Sequence, residues 1–182
     1  MLNVRLHHGE SGGSSAQPPC GSGGGLGGRL NLLLSCARWQ PDPWVERLPR
    51  MLEPMGILSL EARTGAHASR IIQTTPIHVA VVDLALPLDD ADDVTPELSE
   101  GGSRILELLA RLESPPPVVA VKRSRTHRDD TRDISSALRL GAFAIIDRPS
   151  GLSDLNLILD ILRRCLERHH RGCWPRNPDP ES

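Results

Sequence analysis

The sequence predicts a doubly wound α/β domain: a five-stranded parallel sheet in the order 2-1-3-4-5 with helices on both faces. Three observations lead there. Between about Arg29 and His170, short continuous apolar runs recur five times, and each is followed by a segment of helical spacing. The runs are built mainly of Leu, Ile, Val and Ala, as expected of strands in a parallel sheet covered on both sides. Gly, Ser and Pro gather at the two ends of the chain, which leaves a normally apolar middle. Strands that alternate with helices need crossover connections and therefore pair in parallel, and right-handed crossovers put helices on both faces.

The elements follow in order. Leu30–Cys36 reads as the first strand. Pro43 opens a helix after Asp42, which has the side chain to cap it, and Trp44, Val45, Leu48, Met51 and Leu52 share one side. Pro49 inside this helix predicts a kink or a division, and Gly56 a stop. Ile57–Ala62 is the second strand and Ala66–Thr74 a short helix with Ala68, Ile71 and Ile72 inward. Ile77–Leu84 is the strongest strand of the chain, and an acidic loop, Asp89–Gly102, follows it. Helical spacing returns over Ser103–Leu112; Pro117–Val121 is the fourth strand, Arg128–Leu140 the fourth helix and Phe143–Ile146 the fifth strand. Leu152–His169 closes the domain as a long amphipathic helix whose apolar face carries Leu155, Ile158, Leu159, Leu162, Cys165 and Leu166.

Composition sets the limits. The length of 182 residues suits one domain. Aromatic residues are 2%, so the core must be built from Leu, Ile, Val and Ala. Residues 1–28 and 171–182 have too little apolar surface to offset ordering entropy and are expected to be disordered tails around a domain at 29–170. A net charge of -2 gives no general attraction to nucleic acid or to an anionic membrane. No stretch approaches the roughly 18 apolar residues of a membrane helix, and the N-terminus lacks the apolar region of a signal peptide. The expectation is a cytoplasmic protein with reduced thiols at Cys20, Cys36, Cys165 and Cys173, none at zinc-ligand spacing.

In a flavodoxin-like layout, functional groups collect at the carboxyl ends of the strands beside the switch between the first and third. Four patterns there carry a resemblance. Val79–Asp83 ends in an aspartate with Pro87 four residues on, and Gly102–Leu109 reads as the helix after it. Pro116–Val121 is a Pro-led apolar strand, and Ala137–Pro149 combines a Gly141-Ala142 turn, an apolar strand and an Arg148-Pro149 ending. In order and spacing, the chain resembles the receiver domains of two-component response regulators (CheY-like) over nearly the whole folded region.

The resemblance implies a signalling module rather than an enzyme, with Asp83 at the phospho-acceptor position. It also implies Mg²⁺ on an acidic pair ending the first strand, a hydroxyl ending the fourth strand and a Lys ending the fifth. Here those positions carry Ser35 and Cys36, Lys122 and Arg148, and only Asp83 keeps the expected residue. Neutral Ser35 and Cys36 make a poor seat for a hard divalent ion, so no cofactor is expected. Lys122 or Arg148 is expected to pair with Asp83 as a permanent counter-ion. Ile145 stands at the switch position, where an aliphatic side chain has no hydroxyl to signal with.

The leading expectation is a degenerate, single-domain receiver-like protein (a pseudo-receiver) of a two-component phosphorelay that acts by protein contact. The alternative is a phosphorylatable receiver in which Asp89, Asp90, Asp92 and Asp93 supply substitute ligands for Mg²⁺. The expected partner is a histidine kinase or downstream regulator, or a second copy through the fourth helix, fifth strand and fifth helix. Neither nucleic acid nor membrane is expected. With the chain ending just after the fifth helix, output is expected through a separate partner or dimerisation.

Other features are weaker. Gly23–Gly28 contains G-x-G-x-x-G but precedes a strand, where a dinucleotide loop must follow one. Ala37–Asp42 has no Gly or Thr for a phosphate loop, which ranks a flavodoxin-like enzyme or cofactor binder last. Cys36 beside Lys122 has the setting of a reactive thiol, against the commoner buried side chain. His169, His170 and Cys173 are a candidate metal cluster, against a frayed helix end. Arg123, Arg125, His127, Arg128 and Arg132 form a basic stretch suited to an acidic partner or simply to solvent.

Overall fold

Strand pairing fixes the architecture. A computed structural model describes residues 4–6, 29–36, 43–89, 101–123 and 127–170. Six strands form one sheet: β1 (Val4–Leu6), β2 (Leu30–Ser35), β3 (Ile57–Ala62), β4 (Val79–Asp83), β5 (Val118–Lys122) and β6 (Ala144–Asp147), in the order β1-β6-β5-β4-β2-β3. The five strands from β2 to β6 run parallel in the expected 2-1-3-4-5 arrangement. The helices are α1 (Pro43–Leu52), α2 (Gly65–Thr74), α3 (Gly101–Ala110), α4 (His127–Arg139) and α5 (Leu152–His169).

Alternation along each strand divides the core in two. Val79 and Val81 of β4, with Leu32 and Leu34 of β2, pack against Trp44, Leu48 and Leu52 of α1 and Ile158, Leu162 and Leu166 of α5. Ala80 and Val82 face the other way, with Leu33 and Ala120, toward Ala68 of α2, Ile105 and Leu109 of α3 and Ala137 of α4. Both faces being covered, every residue of β4 and β5 is buried. Cys165 lies fully buried among these side chains, and burial pushes its thiol up to about 12, so it is an inert core group.

Two expectations need correction. The N-terminal 28 residues are not wholly a tail, because Val4–Leu6 adds an antiparallel strand to β6. Without it the outer edge of β6 would present unpaired N–H and C=O groups, and pairing satisfies them. Residues 1–3, 7–28 and 171–182 lie outside the described residues. Pro49 does not divide the first helix: α1 continues from Pro43 to Leu52 and tightens into a 3₁₀ turn at Glu53–Met55. Burial of Trp44, Val45, Leu48 and Leu52 offsets the hydrogen bond that proline cannot donate. Gly56 then ends the segment at φ 76°, a left-handed conformation that favours glycine.

The loop after β4 is held from two sides. Thr64 caps α2 by accepting the His67 N–H at 3.1 Å. The next amides, Gly65 and Ala66, donate to the carbonyls of Pro87 and Leu88 at 2.8 and 3.0 Å. From the other side Gly101 and Gly102 open α3 against the same loop. A Cβ on Gly102 would lie 2.5 Å from the Asp83 carbonyl oxygen and 2.6 Å from the Leu84 Cα. The expected acidic loop therefore ends earlier than Gly102, since both glycines are already helical.

Candidate functional site

The carboxyl ends of β2, β4, β5 and β6 bring Ser35, Asp83, Lys122, Asp147 and Arg148 to one edge of the sheet. In the parallel register Asp83 pairs with Val121 and Lys122 with Asp147. The Leu84 N–H donates to the Val121 carbonyl at 2.8 Å and the Arg148 N–H to the Lys122 carbonyl at 2.8 Å. These two backbone bonds extend the ladders just past the strand ends. The acid on β4 and the cations on β5 and β6 are thereby fixed by backbone rather than by loop.

Asp83 is 1% exposed, and both its carboxylate oxygens are engaged. Oδ1 accepts the Ala85 N–H at 2.9 Å. Oδ2 accepts from Arg148 Nη2 at 3.1 Å. The Asp83 N–H donates to Ser35 Oγ at 3.1 Å, and the Ser35 hydroxyl donates to the Val81 carbonyl at 3.4 Å. A side chain at an expected metal-ligand position thus ties β2 to β4. Lys122, 5% exposed, pairs through Nζ with Asp147 Oδ1. Two acidic and two basic side chains, Asp83 and Asp147 with Arg148 and Lys122, thus meet at this edge, and pairing offsets the cost of removing them from water.

Of the two cations that the sequence offers as partners of Asp83, Arg148 contacts it directly, and Lys122 also pairs with Asp147. Asp147 was not singled out as a site residue. The signal for it lies in the register, which sets it directly across from Lys122. Cys36 is buried, and its N–H donates to the Ala62 carbonyl at 3.0 Å. Ile145 is 1% exposed and packed in the core on the side of α2, α3 and α4. Asp89 is exposed, while Asp90, Asp92 and Asp93 lie outside the described residues.

The remaining candidates sit elsewhere. His170 contacts the His78 carbonyl through Nε2 at 2.8 Å, and His169 stacks edge-on against Phe143 at 5.7 Å between ring centroids. At the end of α5 His169 is exposed and His170 partly buried, and Cys173 lies outside the described residues. So do the glycine run at 23–28, the segment 37–42 and Arg125. Arg132 is exposed on α4 and Arg123, after β5, is partly buried.

Mg²⁺ fits this donor set poorly. A hard divalent ion needs several oxygen ligands and at least one available carboxylate. Ser35 contributes a neutral hydroxyl already bonded twice, Cys36 a soft thiol, and the Asp83 carboxylate faces a guanidinium. Among the described residues no three His, Cys, Asp or Glu side chains gather as a metal-binding group.

Comparison with solved structures agrees with this topology. A CheY-like response-regulator receiver from Methanospirillum hungatei JF-1 matches at a TM-score of 0.57 and 19% identity, over 79% of this chain and 99% of that one. The fold is that of a response-regulator receiver domain. The signal receiver domain of an HD domain-containing protein from Pseudomonas fluorescens Pf-5 gives 0.57 at 16% identity, over 78% of this chain and 98% of that one. That of a signal transduction histidine kinase from Syntrophus aciditrophicus gives 0.52 at 20%, over 84% and 97%. No protein-family model matches the sequence, and no curated protein matches it. Among the described residues, no helix of this receiver fold is long and apolar enough to cross a membrane.

Proposed function

We propose that this chain is a receiver-like module of two-component signal transduction that acts by protein contact, with phosphorylation lost or much reduced. The Arg148–Asp83 pair carries the reading. A phosphoryl acceptor must offer a carboxylate oxygen to phosphorus while a cation offsets the charge spreading over the phosphoryl oxygens. Here a guanidinium already neutralises that carboxylate, and the Ala85 amide holds its other oxygen. Arg148 is a permanent stand-in for the cation. The edge is then fixed in one conformation, and Ile145, packed in the core, offers no switch to report a second.

A module of this kind signals by presenting a constant surface to a histidine kinase, a downstream regulator or a second copy. Arg132, exposed on α4, suits an acidic surface on that partner. The test is treatment with acetyl phosphate and Mg²⁺, followed by intact mass, on wild type and Asp83→Asn. Both should keep their mass. A gain of one phosphoryl group in wild type alone would establish the alternative, a working acceptor at Asp83 with ligands drawn from the loop that begins at Asp89.

A further inference from the structure

β1 contributes no residue to the site, yet it occupies one edge of the sheet, beside β6. β1 pairs antiparallel with β6 through Val4 with Ile146, Arg5 with Ile145 and Leu6 with Ala144. We propose that the β6 edge is a strand-acceptor site for an extended apolar–basic–apolar segment, and that Val4–Leu6 is its resident ligand, tethered in cis.

Three observations support this. First, β6 is four residues long and parallel-paired to β5 on its inner side, so its outer N–H and C=O groups need a partner or water. Main-chain bonds at such an edge supply affinity for an added strand, and alternate side chains supply selectivity. Second, the register sets Val4 and Leu6 opposite Ile146 and Ala144 of the core shared with α1 and α5, and Arg5 opposite Ile145 of the other core. The apolar–basic–apolar sequence thus follows the period-two alternation of the acceptor strand.

Third, the number of residues between the two strands suffices to cross the sheet. Leu6 lies beside Ala144, at the start of β6, and the parallel strands place the start of β2 at the same edge of the sheet. From β1 across β6, β5 and β4 to β2 is four strand spacings, about 19 Å. The 23 residues 7–29 separate Leu6 from Leu30, a contour several times that span at about 3.3 Å per residue. Because β1 belongs to the same chain, its docking is intramolecular, and a strand from another molecule must compete with it. The consequence for pairing is direct: two copies cannot join through their β6 edges while β1 is docked.

This inference does not involve Asp83, and its failure would leave the Arg148–Asp83 reading intact. The test uses the full chain and amide hydrogen exchange at the β6 amides that face β1, with β4 amides as the reference for folding. Arg5→Pro, which removes an N–H from the added strand, should raise exchange at the outer β6 amides on the order of tenfold or more. A free peptide of residues 1–9, added at mM concentration, should restore protection. Equal exchange in wild type and Arg5→Pro, or no restoration by the peptide, would overturn the proposal. So would the absence, in wild type, of a nuclear Overhauser contact between Arg5 and Ile145, whatever the stability of the proline variant.

Discussion

Arg148 reaches from the end of β6 to the end of β4 and places Nη2 3.1 Å from Oδ2 of Asp83, a carboxylate with 1% exposure. The pair spans two strand spacings of the sheet, because β5 lies between them. A buried pair of this kind is costly to halve, since the remaining charge has lost its water and its partner.

Arg148→Ala should therefore destabilise the fold by about 3 kcal/mol, measured by urea unfolding. Asp83→Asn keeps the Ala85 contact through its amide oxygen and should cost less. The double variant should cost clearly less than the sum of the two, and the cycle isolates the coupling. Strict additivity would mean that the contact contributes nothing.

Gly102→Ala tests the seating of α3 on the loop after Asp83. The added methyl would meet the Asp83 carbonyl oxygen and the Leu84 Cα, both backbone atoms with no rotamer to yield. The expected loss is about 1–3 kcal/mol, read as a lower unfolding midpoint. Unchanged stability would mean the helix is free to move away from the site.

The fold was legible where energy is local and repetitive. The apolar runs of β2 to β6 and the face of α5 are written into the chain, and α5 spans Leu152–His169 as its pattern implied. β1 was not legible: it is three residues long, and what stabilises it is the open edge of β6, about 140 positions away. Position Asp83 was legible from its place at the end of the strongest strand. The pairing of Lys122 with Asp147 was not, because it depends on the register between two strands more than twenty positions apart.

Acid should loosen the opposite edge of the sheet. His78 Nδ1 accepts the Asn31 N–H at 2.9 Å, which requires an unprotonated nitrogen. Burial, and secondarily His170, lower its pKa from the ordinary 6.5. His169 is lowered too, by burial first and then by Arg168 and His170. The unfolded chain then binds more protons than the folded one just below pH 6.5, so stability falls with pH there. It should be full above 6.5 and decline as pH drops through the lowered folded values. Urea midpoints between pH 7.5 and 5 should show that slope, and His78→Gln should flatten it. An equal slope in the variant would assign the effect elsewhere.

The central claim is that Arg148 already fills the cation's place beside Asp83. Calorimetric titration of the full protein with Mg²⁺, at ordinary ionic strength, tests it most directly. No saturable binding is expected for wild type, and none for Asp83→Asn. Saturable binding in wild type that disappears in Asp83→Asn would show a metal-competent carboxylate and contradict the claim.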